Sequence, residues 1–314
     1  MNHTIKSFFK IPVLLLLSSL LLVQCSKDDA PAVQLNNLDA TLSANSDLSL
    51  FKAAIAQAKL ESFTKGPGPF TLLAPTNAAL NAAGITTATL PTLDSTALTA
   101  LVLNHMQNVS RTSYEIPDGP NAPMASMAGF NNYAYKDKAA NKIYISGASV
   151  TTRDINCGNG IIHKIDKVLF VPAFPLITLL NTNSNYSLMV QAITKAGLTA
   201  TFSPSASAPA TVFALDNATM TANGYDAVTI AGLSGAALTT LSNILKYHIV
   251  TGRNFSTDLK AGNLKTVLAT NVVISFNSGV FVKGTSNASP FGLTLTDVAA
   301  SNGVLHQVGG MLKP

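Results

Sequence analysis

Four of the five histidines in this chain fall into two pairs with a single spacing. His105 and His248 are 143 residues apart, and so are His163 and His306. The interval inside each half is constant as well, 58 residues from 105 to 163 and from 248 to 306. In a chain so poor in histidine this pattern implies one unit used twice. The period is far longer than the roughly 20 to 50 residues of solenoid repeats, so the units are tandem globular domains.

Flanking residues follow the same offset. Leu101-Val-Leu-Asn-His105-Met aligns with Ile244-Leu-Lys-Tyr-His248-Ile, and Asn159-Gly-Ile-Ile-His163-Lys-Ile aligns with Asn302-Gly-Val-Leu-His306-Gln-Val. Asp154-Ile155 and Asp297-Val298 keep it too. Upstream, Leu73-Ala-Pro-Thr-Asn77-Ala matches Phe213-Ala-Leu-Asp-Asn217-Ala at an offset of 140, so small surface-loop insertions separate the blocks. Each copy is large enough to bury its own core. The reading places domain 1 at 38–172 and domain 2 at 173–314.

The amino terminus bears on location. Lys6 and Lys10 precede an apolar run from Ile11 to Val23 that ends at Cys25. The run is shorter than the roughly 20 residues of a spanning helix and has the plan of a secretory signal. With Cys25 directly after Leu22-Val23-Gln24, residues 1–24 resemble a bacterial lipoprotein signal, although Gln24 is larger than the small residue usual there. The resemblance implies diacylation of Cys25, and two acyl chains suffice for stable anchoring. Ser26 argues against inner-membrane retention, and Lys27-Asp28-Asp29 resembles the surface-export tag of Bacteroidetes lipoproteins. The expectation is an outer-membrane lipoprotein facing the cell exterior, with residues 25–37 as a lipidated tether.

Cysteine and charge narrow the possibilities. With Cys25 acylated, only Cys157 remains, so no intramolecular disulfide can form, and Cys157 reads as a small packed or loop residue. Removing Lys6 and Lys10 lowers the formal net charge of +5 by two, and no Lys/Arg cluster marks a nucleic-acid footprint.

Periodicity supplies a coarse structure. Leu48, Phe51, Ile55 and Ala58 define a helix between Ser46 and Leu60 with Ser46 or Asp47 as its N-cap, and Leu188, Ala192 and Ala196 repeat it. Phe70–Ala74 and Ala210–Ala214 read as buried strands, followed by a turn in which Pro75-Thr76-Asn77 can cap the next helix. Helices over Ala97–Met106 and Ala236–Ile249 carry the first histidine of each copy. Strands follow at Lys142–Ile145 and Ser149–Ile155, and at Val272–Phe276, Val280–Lys283 and Leu293–Val298. Asn-Gly turns lead to closing strands over Ile161–Phe170 and Val304–Leu312. Helices early and strands late give an α+β class. The segment Tyr114–Tyr135, with Phe130 and Tyr133, reads as a long aromatic-bearing loop without a counterpart in copy two.

These residues resemble a known family. Phe70-Thr-Leu-Leu-Ala-Pro-Thr-Asn-Ala-Ala-Leu80 is similar to the first signature of the fasciclin (FAS1) domain. Tyr247-His248 is similar to its central motif, and Asn159-Gly-Ile-Ile-His163-Lys-Ile-Asp-Lys-Val-Leu169 to its closing one. Copy one departs by carrying Asn104 for the tyrosine, and copy two by carrying Leu215-Asp216 for Pro-Thr. The resemblance implies two tandem wedge-shaped domains, each with about seven strands in two sheets and flanking helices. It also implies adhesion or matrix interaction rather than catalysis.

Recurrent histidines can be metal ligands or an acid–base pair, and the recurring Asp154/Asp297 is the only acid placed to join them. Their apolar neighbours favour neutral rings hydrogen-bonded in the core, which makes His105, His163, Tyr247, His248 and His306 structural motif residues. No G-x-S-x-G elbow, P-loop or H-E-x-x-H helix occurs. The chain therefore reads as a non-enzyme with no cofactor and no metal. In animal members of the family an Asp-Ile dipeptide before the closing signature is linked to integrin binding, and Asp154-Ile155 holds that position. Asp297-Val298 holds it in copy two with valine for isoleucine; the favoured alternative, since a bacterial surface protein need not have an integrin partner, is an aspartate bonded to a turn beside an inward Ile or Val. Asp154, Ile155, Phe130 and Tyr133 are the candidate partner-binding residues. The expected partner, beyond the membrane itself, is an extracellular protein or glycan. The competing expectation is an accessory glycan-binding protein of an outer-membrane nutrient-uptake system.

Overall fold

The structure is a computed structural model that describes residues 35–314. The expected signal over residues 1–24, Cys25 and the expected export tag Lys27-Asp28-Asp29 lie outside the described residues.

Domain 1 opens with three helices, α1 (Leu38–Ala44), α2 (Ser49–Gln57) and α3 (Glu61–Lys65). Strand β1 (Phe70–Pro75), α4 (Asn77–Ala82) and α5 (Ser95–Asn104) follow. Six more strands complete it: β2 (Met106–Gln107), β3 (Ala122–Ala125), β4 (Asn131–Asp137), β5 (Lys142–Ile145), β6 (Ala148–Cys157) and β7 (Gly160–Ile165). Domain 2 begins with α6 (Leu176–Thr182), α7 (Ser187–Lys195), β8 (Ala210–Ala214), α8 (Asn217–Ala222), α9 (Ala227–Gly232) and α10 (Gly235–Tyr247). Its later strands are β9 (Ile249–Thr251), β10 (Gly262–Lys265), β11 (Asn271–Phe276), β12 (Val280–Lys283), β13 (Phe291–Ala300) and β14 (Gly303–Val308).

The strand orders are β2-β1-β7-β6-β5-β4-β3 and β10-β11-β12-β13-β14-β8-β9, the same order in each copy. Every residue of β1 and β8 is buried, as befits a central strand covered on both faces, and each pairs in parallel with the closing strand. The long strands β6 and β13 link the two halves of each seven-strand set. Each bends at register shifts just before Ile155 or Val298, and Asp154 and Asp297 sit there with φ of 60° and 66°. A bulge of this kind bends a strand, and aspartate tolerates the left-handed conformation better than most residues. Apolar side chains from the helices pack on β1 and β7, with Phe51, Leu72, Leu80 and Ile162 at the centre. Leu73, Ile143, Ile145 and Ile165 form a second cluster on the other side.

The signature residues hold these layers together. Asn77 Oδ1 accepts from Leu50 N–H at 2.9 Å, and its amide donates to Ser46 O at 2.9 Å; Asn217 repeats this with Leu188 and Ser184. Asn77 thus satisfies the start of α2 from a distance, so the expected Ser46 or Asp47 cap is corrected: Ser46–Leu48 form a 3₁₀ turn and give α2 no side-chain cap. Thr76 and Asp216 cap α4 and α8 in the same way, so the departure at Asp216 preserves the function. Asn159 and Asn302 accept from Leu38 N–H and Leu176 N–H, each at 2.8 Å, and tie the first helix of each copy to the hairpin turn. A Cβ on Gly160 or Gly303 would collide with the carbonyl of Phe70 or Ala210, which is why the turn reads Asn-Gly twice.

Three further sequence expectations are corrected. The helices end before the histidines: His105 and His248 are C-cap residues with φ/ψ of −90°/0° and −87°/6°. The closing strands stop at Ile165 and Val308, because the chain leaves the sheet to bring Leu169 and Leu312 onto those histidines. The segment Tyr114–Tyr135 is not a loop unique to copy one. It contains β3 and most of β4, whose counterparts by strand order are β10 and β11.

Candidate functional site

All four paired histidines are fully buried, and both nitrogens of each meet backbone groups. Nδ1 of His105 lies 2.8 Å from Leu101 O, and Nε2 accepts from Leu169 N–H at 2.9 Å. His248 does the same with Ile244 O (2.8 Å) and Leu312 N–H (3.0 Å). Because Nε2 accepts, the proton resides on Nδ1. The other pair takes the opposite tautomer. Nδ1 of His163 and of His306 accepts from the N–H of Asp154 and Asp297 at 3.2 Å, and Nε2 donates to Arg111 O (2.9 Å) and Asn254 O (2.8 Å). Burial lowers the pKa of His105 and of His248 to about 4 and also pulls His163 and His306 below the usual imidazole value. These rings are pins between elements. Among the described residues no group of three or more His, Cys, Asp or Glu is placed to hold a metal.

Tyr247 links α10 to the sheet: its hydroxyl donates to Asn271 O at 2.5 Å and accepts from Thr285 N–H at 3.0 Å. Asn104 stands at the same place in copy one and bonds different groups. Its amide donates to Leu169 O at 2.9 Å, and its oxygen accepts from Ser126 Oγ at 3.0 Å.

The candidate partner-binding residues are engaged inside the chain. Asp154 accepts from Ser113 N–H at 2.6 Å and from the Ser113 hydroxyl. Burial pushes its carboxyl up, but the Ser113 bonds and neighbouring charges outweigh that and leave it below the ordinary value. Ile155 is half-buried against the core. Phe130 is half-buried, and its carbonyl accepts from Ser126. Tyr133 faces domain 2. Cys157 is buried with its thiol 3.3 Å from Thr41 Oγ1, and burial raises its pKa.

The two copies differ most where they meet. Asp297 keeps the Ser256 bonds that match those of Asp154, both at 2.6 Å, and adds Lys167 of domain 1, whose Nζ lies 2.6 Å from Oδ2. The aspartate side chain is only 4% exposed, against 42% for the lysine. Burial raises the Asp297 pKa, but His306, Lys167 and Ser256 together bring it below the ordinary value. Gly147 makes the approach possible: with φ of 82° it backs directly onto the Asp297 carboxylate, where a Cβ would collide. Beside this pair the Arg253 guanidinium lies 4.2 Å from the Tyr133 ring centre, and Asn121 Nδ2 donates to Arg253 O at 2.6 Å. Next to these contacts is a cavity of about 340 Å³ lined mainly by apolar side chains, among them Phe170, Val171, Pro172, Leu179 and Leu295. The sequence marked Asp297 only as the repeat of Asp154, and it did not mark Lys167 or Arg253. Arg253 carried the one available signal, an arginine where the repeat has Ser110.

A second aromatic cluster lies on β4 and β5. Tyr135 and Tyr144 are stacked with ring centres 5.9 Å apart, while Tyr114 is 89% exposed and has Lys136 Nζ 5.6 Å from its ring centre. Among the described residues no helix is long and apolar enough to cross a membrane.

Comparison with known proteins gives one family. The Fasciclin domain matches residues 46–172 and again 184–314. The transforming growth factor-beta-induced protein ig-h3 of Sus scrofa is 27% identical over 277 residues, which covers 87% of this chain and 37% of that protein. Protein sll1483 of Synechocystis sp. is 32% identical over 131 residues, covering 41% of this chain and 69% of that protein. This chain thus spans little more than a third of the ig-h3 protein. Among solved structures, a FAS1 domain pair from the insect cell adhesion molecule fasciclin I aligns with a TM-score of 0.42 and 18% identity, over 86% of this chain and 98% of that one.

Proposed function

This chain belongs to the fasciclin domain family, and on that premise we propose that it is a lipid-anchored, surface-exposed protein whose two domains mediate cell adhesion or contact with a neighbouring surface, without catalysis. Fasciclin domains are associated with cell adhesion, and the double family match is the observation that carries the reading. The internal engagement of the recurrent titratable residues supports it. A ring with both nitrogens bonded to backbone has no free site with which to move a substrate proton. The anchor rests on Cys25 and its preceding apolar run, and outward exposure rests on Lys27, Asp28 and Asp29.

Cell fractionation tests the anchor. Cys25→Ala is expected to move the protein from the membrane to the soluble fraction, and an unchanged distribution would overturn the lipid claim. Replacing Lys27, Asp28 and Asp29 together by alanine is expected to protect the protein from externally added protease. Loss of the gene is expected to reduce attachment or aggregation of cells.

The stacked Tyr135–Tyr144 pair supports a second reading, an accessory glycan-binding protein, because aromatic faces can pack against sugar rings. Glycan-array binding that disappears in Tyr135→Ala would favour it over adhesion.

A further inference from the structure

We propose that domain 1 carries a binding site for a guanidinium group, filled by an arginine side chain of another protein molecule. The reason is a difference between two otherwise equivalent hairpins. In domain 2 the turn between β13 and β14 is occupied by Arg253, which is 3% exposed. Its Nη1 donates to Ala300 O and Gly303 O, both at 2.9 Å, and Nη2 lies 3.4 Å from Ser301 O. The Tyr133 ring covers the guanidinium.

The repeat offset of 143 maps Ala300, Ser301 and Gly303 onto Cys157, Gly158 and Gly160, and Arg253 onto Ser110. The hairpin pairing is the same at both places. Cys157 pairs with Gly160 as Ala300 pairs with Gly303, and the closing strand then runs parallel to β1 or β8. The chain entering each domain is held alike: Gly158 N–H donates to Asn36 O at 2.8 Å, and Ser301 N–H donates to Phe174 O at 2.9 Å. With serine in place of arginine, the described residues of domain 1 leave an open cavity of about 520 Å³, lined by Leu35, Gly68, Pro69, Ser110, Cys157, Gly158 and Gly160 among others.

The chemistry of this cavity selects its ligand. Hairpin pairing uses one lone pair of a carbonyl and leaves the second available, as Arg253 demonstrates in domain 2. The Cys157, Gly158 and Gly160 carbonyls correspond by the repeat to those that hold Arg253, and with no carboxylate among the lining residues they suit a planar, weakly hydrated cation that offers many N–H groups in a fixed fork. The chain cannot supply that group from its own remaining arginines in the positions they hold. Arg111 Nη1 donates to Glu115 O, and Arg153 donates to Asn141. Residues 1–34 contain no arginine. The inference holds whether or not the protein is an adhesin, since it rests on the two hairpins alone.

Amide NMR of the purified full chain, titrated with N-acetyl-arginine amide, tests the site. Saturable shifts confined to the amides of residues 156–161 are expected, with none from N-acetyl-citrulline amide, which has the shape without the charge. Ser110→Arg places the guanidinium in cis and is expected to weaken binding by at least roughly tenfold. Arg253→Ser is expected to create a second responsive set at residues 299–304. Equal binding of the citrulline amide, no binding to the unaltered chain, or unchanged binding in Ser110→Arg would each overturn the proposal. The first and second of these do not depend on any variant folding.

Discussion

Lys167 Nζ lies 2.6 Å from Asp297 Oδ2, so the aspartate that both copies place at the same bulge carries a cation from the other domain only in copy two. The repeated framework of Ser256, Asp297 and His306 thereby becomes part of the junction. Lys167→Met should loosen it. The lysine is partly exposed and screened, so the loss in global stability should be about 1 kcal/mol or less. Limited proteolysis between residues 166 and 175 should quicken more noticeably than the unfolding midpoint shifts. Unchanged cleavage would argue against a role for the pair in docking.

The first histidine of each copy makes stability depend on pH. In the folded domains burial disfavours the charged ring and pushes the pKa of His105 and His248 down to about 4, from an ordinary imidazole value near 6.5. Between those values the unfolded chain binds protons that the folded chain refuses. The stabilisation is therefore fully present above pH 6.5 and is lost as the pH falls toward 4, by about 3 kcal/mol for each ring. Urea denaturation at pH 7, 5.5 and 4 should show this decline. His248→Gln should reduce it for domain 2, where buried His306 still contributes in the same sense, while lowering stability at pH 7.

Asp258 acts in the opposite sense. Burial and the nearby Asp297 raise its pKa to about 6, so the folded chain takes up a proton between pH 6 and 3.8 that the unfolded chain does not. Its carboxylate therefore destabilises the domain at neutral pH, and protonation relieves this as the pH falls. Asp258→Asn is expected to raise the unfolding midpoint at pH 7 and to have little effect at pH 4. A lower midpoint at pH 7 would show that the Phe255 N–H···Asp258 bond outweighs the burial cost.

Gln107 offers a stabilising change. Its side chain is buried, and neither its amide nitrogen nor its oxygen has a partner among the described residues. The repeat places Val250 at the same register position, opposite Thr211 as Gln107 is opposite Thr71. Gln107→Val should stabilise domain 1 by about 1–2 kcal/mol, because it removes buried polar groups that lack partners. A calorimetric Tm that fell instead would mean an ordered water satisfies the amide.

What the sequence disclosed follows from where the chemistry lies. Phe70–Pro75 was legible because a strand covered on both faces must be apolar throughout, and Asn159-Gly160 because only glycine fits beside the Phe70 carbonyl. Strand β4 escaped notice because an inward position is Asn132, whose amide donates to Asn104 O at 2.8 Å. Local periodicity cannot foresee such a distant partner. The histidine pins were legible as burial from their apolar neighbours, but their opposite tautomers depend on backbone groups brought in from elsewhere. The junction was least legible. Lys167 and Asp297 are 130 residues apart, and nothing local to either marks the other.

Surface adhesion by an anchored domain pair is tested most directly by complementation of cells that lack the gene. Attachment to a surface, or to other cells, is scored with the unaltered chain and with Cys25→Ala expressed at equal levels. The expected result is attachment restored by the unaltered chain and not by Cys25→Ala. Attachment that does not change when the gene is lost, or that both forms restore equally, would contradict the account.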